Sequence, residues 1–202
     1  MITLFHYPQT RSSRFIFLLE ELGAPYQIEQ VKTLASADGK ISGDPGNPHP
    51  HGKVPVIRDE ETGEVVYESP AIALYLTDKF PKAGLGPTVG QPGRGAYLSW
   101  LVYYGSVMEP AFMSKFTNTP VPRPQAGWVP VEEAMEHVIG ALSKHKWMLG
   151  ESFSAVDILY GTTFAMFGKS PMMPKSEVID LYVKHVTERP ALARAQAKDG
   201  AR

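Results

Sequence analysis

Apolar and polar residues alternate in short runs over the first third of the chain and then settle into helical stripes over the rest. Ile2 to His6 reads as a short strand, closed by Tyr7-Pro8-Gln9-Thr10. Phe15, Leu18, Leu19 and Leu22 then fall at i, i+3, i+4 and i+7, which predicts a helix with one buried face that Gly23 stops. Pro25 to Val31 alternates polar and apolar like a half-buried strand. A single-helix crossover between two strands predicts parallel pairing with a right-handed connection.

Residues 35–52 hold four glycines, three prolines and no periodicity, and read as an irregular exposed loop. Gly52 to Ala71 follows as strand, turn, strand and helix start. Lys53-Val54-Pro55 opens the first strand, Glu61-Thr62-Gly63-Glu64 supplies the turn, and Val65-Val66-Tyr67 is the second strand. The tight turn makes these two strands antiparallel. Ser69 suits an N-cap and Pro70 the first helical position, with the helix carried by Ile72, Tyr75 and Leu76 and broken at Phe80-Pro81. A hydroxyl, an acidic side chain and the free N–H groups of a helix start thus meet beside a strand end, an arrangement able to hold a small carboxylate.

Beyond a glycine- and proline-rich stretch from Lys82 to Pro92, every periodic segment is helical. Tyr97, Trp100, Leu101 and Tyr104 mark one stripe. Val131, Ala134, Met135, Val138 and Leu142 mark another, and Val156, Leu159, Tyr160, Thr163, Phe164 and Phe167 a third. Two short helices are expected near Ser176–Thr187 and Pro190–Lys198, and the prolines of 119–124 exclude a helix there. Ser154 and Asp157 have the spacing of a cap whose acid bonds back to the cap N–H. The expected organisation is an α/β domain over 1–80 (βαβ then ββα), a linker over 81–92 and an all-helical domain over 93–202.

Composition narrows the chemistry. The 202 residues carry 20 Lys+Arg against 21 Asp+Glu, a formal charge of -1, so neither a nucleic-acid surface nor a polybasic membrane patch is expected. The absence of cysteine removes disulfides, thiolate metal sites and a protein thiol nucleophile, so any thiol chemistry must come from a ligand. No apolar run approaches the roughly 20 residues needed to cross a bilayer, and the start lacks a signal-peptide core; the expected location is cytoplasmic. His49 and His51 lack the spacing of a helical ligand pair and have no third ligand nearby in sequence, so no metal is expected.

The order βαβ-ββα, a linker, an all-helical half and Ser154-x-x-Asp157 together resemble the cytosolic glutathione S-transferase family, of bacterial type with a non-cysteine active site. NPHPHGKVPVI is similar to that family's NP-x-GKVP segment and ESPAIALYL to its ES-x-AI helix start. The resemblance covers nearly the whole chain. It implies a thioredoxin-like N-terminal domain that binds glutathione as co-substrate, and a helical domain that walls the pocket of the second substrate. Carried over residue by residue, Glu68 and Ser69 match the pair that holds the γ-glutamyl end. Val54 matches the residue whose backbone pairs with the cysteinyl amide, Pro55 a cis-proline, and Lys53 the position that meets the glycine carboxylate. The family's usual assembly implies a homodimer.

The resemblance also implies that a hydroxyl near the start of helix one donates to the glutathione sulfur, and here several are available in Tyr7-Pro-Gln-Thr-Arg-Ser-Ser-Arg14. A thiol of pKa about 8.5 needs about 1.5 units of lowering, on the order of 2 kcal/mol, to ionise at neutral pH. One hydroxyl hydrogen bond nets about 1 kcal/mol and a helix N-terminus about 0.3–1, so a cluster is required. Alignment with the cysteine-type bacterial enzymes puts Arg11 where their cysteine stands. Ser12 and Thr10 are the favoured donors, with Arg11 as electrostatic support and Tyr7 as the alternative. Tyr103, Tyr104, Met108 and Phe112 recur at near-helical spacing, adjoin an expected helix break at Pro110 and are the candidates for the apolar substrate pocket. The expected activity is transfer of glutathione to a small apolar electrophile; a glutathione-dependent disulfide reductase or peroxidase, or a non-enzymatic binding scaffold, stay open.

Overall fold

Strand β1 (Ile2–His6) is buried along its whole length, including the polar Thr3 and His6. In this computed structural model, which describes residues 1–35, 41–168, 170 and 173–200, it is an inner strand of a four-stranded mixed sheet. Strand β2 (Tyr26–Gln30) pairs parallel to it, and β5 (Val56–Asp59) pairs antiparallel on the other side. Strand β6 (Val65–Tyr67) closes the order β2-β1-β5-β6. The single-helix crossover is α1 (Ser13–Leu22), whose Phe15, Ile16, Leu18 and Leu19 are buried. Gly23 ends it in the left-handed region at φ 60°, returning its N–H to the carbonyls of Glu20 and Leu19. Helix α2 (Ser69–Lys79) follows β6. The thioredoxin-like βαβ-ββα order is present.

Three boundaries differ from expectation. The stretch read as irregular loop contains an antiparallel ribbon of β3 (Thr33–Ala35) and β4 (Ile41–Gly43), with Thr33 facing Gly43 and Ala35 facing Ile41; the tip between them lies outside the described residues. The strand expected to open at Lys53 begins at Val56, because Pro55 has no N–H to give the ladder. Helix α2 starts one residue early: Ser69 is its first residue and Glu68 stands at the N-cap without a side-chain cap bond.

The described residues divide into two compact units, Met1–Ala83 with the segment from Pro190 onward, and Gly84–Arg189. The final helix therefore lies with the first unit, where the sequence reading grouped it with the other helices. Helix α8 (Pro190–Lys198) packs on α1, and the reason is electrostatic as well as apolar. Ala191 and Ala195 are buried, while Glu20 of α1 accepts from Arg194 Nε at 2.7 Å and Lys198 Nζ at 2.5 Å, and from the Tyr26 hydroxyl at 2.7 Å. Lys198 and Tyr26, then Arg194, hold the Glu20 carboxyl down to about 2 against the cost of its burial.

The second unit is helical: α3 (Arg94–Tyr103), α4 (Glu109–Phe116), α5 (Val131–Leu142), α6 (Ala155–Phe167) and α7 (Glu177–Thr187). Between α3 and α4 the chain does not break at Pro110 as expected. Tyr104–Met108 forms a wider π-helical turn that carries the helix past a proline with no N–H of its own. At the start of α6, Asp157 accepts from the Ser154 N–H at 2.8 Å and the Ser154 hydroxyl at 2.9 Å, as the spacing predicts. It also takes the Met148 N–H and the Tyr182 hydroxyl, so one fully buried carboxyl joins α6, α7 and the loop before them. Gly161 admits α7 closely: a Cβ there would lie 2.6 Å from Val186. No helix among the described residues is long and apolar enough to cross a membrane.

Asp59, at the end of β5, is fully buried and tied to α2 through Lys79 Nζ at 2.7 Å and the Tyr75 hydroxyl at 2.6 Å, with the Glu61 N–H at 3.0 Å. Burial opposes its charge, but these three donors outweigh it and hold the carboxyl at about 2. The folded chain therefore binds this proton more weakly than the unfolded chain, in which an aspartate titrates near 4. Stability from this site is complete above about pH 4 and is lost as the pH falls toward 2. Asp59→Asn is expected to cost on the order of 2 kcal/mol in urea unfolding at neutral pH, with wild type and variant converging between pH 4 and 2.

Candidate functional site

Strand register gathers three of the segments singled out in the sequence. Phe5 faces Val56 across β1 and β5, and Val56 faces Tyr67 across β5 and β6. The chain leaves β1 after this row, enters β5 just before it and leaves β6 just after it. The Tyr7–Ser13 segment, the Lys53–Pro55 approach and the Glu68–Ser69 helix start consequently emerge at one end of the sheet.

Glu68 is exposed and carries a backbone of φ 71°, ψ 124°, a left-handed conformation that a glutamate adopts only under constraint from its surroundings. The turn lets α2 begin directly behind β6, with Ser69 buried at 6% exposure and Pro70 in the first turn. The Val54–Pro55 bond is cis, as the resemblance implies. Val54 lies outside the β5 ladder and packs on Phe5, Val31 and Val56. Lys53 is exposed, its carbonyl taking the Asn47 side-chain amide at 3.0 Å.

His49 joins this group. Its ring meets Tyr67 edge-on at 5.3 Å, and its Nδ1 accepts the His51 N–H at 3.0 Å, so a proton on the neutral ring sits on Nε2. Burial pushes its pKa below the usual histidine value; His51 and Lys53 push the same way, and Glu68 opposes them. A neutral donor thus stands among a lysine and a glutamate.

The hydroxyl segment is organised differently from the expectation. Ser12 is fully buried and does not cap α1; its Oγ lies 2.8 Å from His6 Nδ1, 2.8 Å from Thr10 Oγ1 and 3.1 Å from the Tyr7 carbonyl, and accepts the Tyr7 N–H at 3.2 Å. Favoured as a donor to ligand, it faces inward instead. Thr10 is half-buried, with Oγ1 donating to the Tyr7 carbonyl at 2.7 Å. Tyr7 is half-buried and Arg11 exposed, while the Ser13 Oγ is enclosed without a hydrogen-bond partner.

Three of the four pocket candidates are core residues of the helical unit. Tyr104 is 1% exposed and bonds Thr163 at 2.8 Å, Met108 is 1% exposed, and Phe112 stacks on Phe167 at 5.5 Å. The stripe that suggested a pocket is the buried face of the helices. Tyr103 alone stays half-buried, packed with Trp100 and His137, and burial raises its hydroxyl pKa.

Residues 11–79 match the family model described as glutathione S-transferase, N-terminal domain. Over nearly the full length, the chain is 27% identical to glutathione S-transferase GstB of Escherichia coli strain K12, covering 96% of this chain and 97% of that one. A sphingomonad glutathione S-transferase complexed with glutathione superposes with a TM-score of 0.75 at 28% identity, covering 99% and 100% of the two chains. The beta class enzyme of Sphingomonas chungbukensis does so at 0.74 and 29%, covering 98% of each. The chain is thus similar over nearly its whole length to glutathione S-transferases, and its N-terminal part matches the family's N-terminal domain.

The chain itself contains no cysteine. One feature of the N-terminal unit has no signal in the sequence. His6 sits under the Ser12 hydroxyl with Asp199 on its other side, and nothing in the spacing of residues 6 and 199 signals a meeting. His49, set aside as a metal ligand, is one of the two histidines that the sequence leaves able to touch the ligand's glycine end, and the structure puts it against Tyr67. Because Ser12 Oγ answers two buried groups, Ser12→Ala is expected to cost about 1–2 kcal/mol in urea unfolding, whereas Thr10→Ala, half-exposed, costs less than about 1 kcal/mol.

Proposed function

We propose that this protein is a glutathione transferase that binds glutathione along the sheet end, lowers its thiol pKa and presents the thiolate to a small apolar electrophile. The observation that carries the reading is the shared end of β1, β5 and β6. From β1 to β6 is two strand spacings, about 10 Å, which matches the roughly 10 Å of an extended tripeptide. Glu68 takes the γ-glutamyl ammonium, and Ser69 with the first N–H groups of α2 takes its carboxylate. Val54 pairs through its backbone with the cysteinyl amide, positioned by Pro55. Lys53, with His49 beside it, receives the glycine carboxylate.

The sulfur then lies toward the β1 side, where Thr10 is the hydroxyl with access to a ligand. Thr10 turns its hydroxyl hydrogen from the Tyr7 carbonyl to the thiolate, Ser12 lies behind Thr10, and Arg11 adds positive charge; Tyr7 is the alternative donor. The thiol releases its proton to solvent, and the thiolate attacks an electrophilic carbon, forming the carbon–sulfur bond as the bond to the leaving group breaks and that group departs with the electron pair as an anion. Proximity and thiolate stabilisation supply the acceleration. Of the helical residues, Tyr103 remains the candidate for contact with the electrophile.

The same reading includes a homodimer. Val102, 61% exposed, and Phe116, 72% exposed, are apolar side chains that such an assembly would cover. Sedimentation at micromolar concentration is expected to give twice the chain mass; a monomer refutes the assembly.

Calorimetric titration with glutathione is expected to show micromolar to millimolar binding by the wild type and at least ten-fold weaker binding by Glu68→Ala with Ser69→Ala, about 1.4 kcal/mol. No heat from the wild type refutes the function. Thr10→Ala is expected to bind glutathione normally but to raise the pKa of the bound thiol, followed by ultraviolet thiolate absorbance, by about one unit.

A further inference from the structure

The loop proposed to activate the sulfur is held from beneath by the far end of the chain. Asp199 follows the last turn of α8, and three of its atoms face the loop and the strand before it. Its carbonyl lies 3.1 Å from His6 Nε2, its Oδ1 lies 3.3 Å from the same nitrogen, and its Oδ2 accepts the Gln9 N–H at 3.2 Å. Oδ1 is buried and makes no aligned hydrogen bond. Both groups facing Nε2 can only accept, so Nε2 carries a proton, and on the neutral ring Nδ1 receives the Ser12 hydroxyl hydrogen. Ser12 Oγ is then free to accept the Tyr7 N–H, and Thr10 Oγ1 rests against it at 2.8 Å.

The second link is backbone. Gln9 has φ 57°, a left-handed conformation that is strained for a residue with a side chain, and the residue after it is Thr10. The Asp199 carboxylate holds the N–H of this strained residue. One aspartate thus fixes the loop twice, through His6 to Ser12 and directly at Gln9.

We infer that Asp199, acting through His6 and through the Gln9 amide, is a positioning residue for the thiol-activating loop, so that the end of α8 sets the geometry in which Thr10 meets the glutathione sulfur. This rests on the function proposed above. A preorganised donor is worth more than a mobile one, because the loop need not reorganise as charge develops on sulfur. The γ-glutamyl and glycine ends are held by other segments, so loss of the clamp separates thiol activation from binding.

The test uses the full chain with Asp199→Ala, Asp199→Asn and the double variant Asp199→Ala with Gln9→Gly. Asp199→Ala is expected to raise the bound thiol pKa by about half a unit or more and to lower kcat toward an aromatic halide about three- to ten-fold below that pKa, with the glutathione Kd changed less than about two-fold. Asp199→Asn, which keeps an oxygen for Gln9, is expected to lose less. Gln9→Gly in the Asp199→Ala background is expected to recover part of the thiol shift, since glycine adopts this φ without steric cost. A wild type that binds glutathione and lowers its pKa, alongside an Asp199→Ala variant with the same thiol pKa and kcat, overturns the inference and leaves the function standing. Parallel losses of Tm and glutathione affinity with an unmoved thiol pKa mean a structural role only and also overturn it. A wild type that binds no glutathione overturns both.

Discussion

The pairing of Phe5 with Val56 and of Val56 with Tyr67 is the constraint from which the candidate site follows. Side chains in a strand alternate faces, so a slip of one residue in either ladder would move Val56 and Ile57, buried on opposite faces of the sheet, each to the other face. Burial of those side chains therefore fixes more than stability. It decides that three loops distant in sequence leave the sheet at one end. Asp59 guards the other end of the same strand, because its three donors come from α2 and the β5–β6 turn.

Much of this was legible, and the reasons are local. Helix α1 announces itself by an unbroken i, i+3, i+4, i+7 pattern and a glycine that takes φ 60° where it ends. The β5–β6 hairpin and α2 follow from a turn-forming tetrad between β-branched runs and from a proline suited to a first helical turn. What failed involves backbone options that compete closely. A strand start near Pro55 depends on which N–H groups the ladder can use, and the Thr33–Gly43 ribbon has pairing without a periodic hydrophobic pattern. The π-helical turn before Pro110 is a compromise between continuing an apolar stripe and lacking a donor, and a residue pattern alone reads the same proline as a break.

Side-chain direction was the second limit. Tyr104, Met108 and Phe112 recur at a period that describes a buried face as well as it describes a pocket wall, and the two are told apart only by what packs opposite. Ser12 posed the same ambiguity in a loop. A run of hydroxyls advertises donors, but Ser12 is claimed by His6, a strand residue that would otherwise be buried with one ring nitrogen unsatisfied. The docking of α8 on α1 was beyond reach because its ion pairs join Glu20 to residues about the whole chain length away.

Under the proposed function, the inward turn of Ser12 changes how thiol activation is divided. Lowering a thiol by about 1.5 units requires on the order of 2 kcal/mol, and a single hydroxyl bond of ordinary quality supplies about half of that. If two hydroxyls do not both reach the sulfur, the remainder must come from better use of one, and a donor already aligned avoids the reorganisation that weakens it in water. A fully buried histidine, a serine with both its hydrogen and its lone pairs committed, and a glutamine in the left-handed region are costly features to retain in one loop. Their common effect is to leave Thr10 with few positions to occupy, which under the proposed function makes better use of one weak donor in a chain without cysteine.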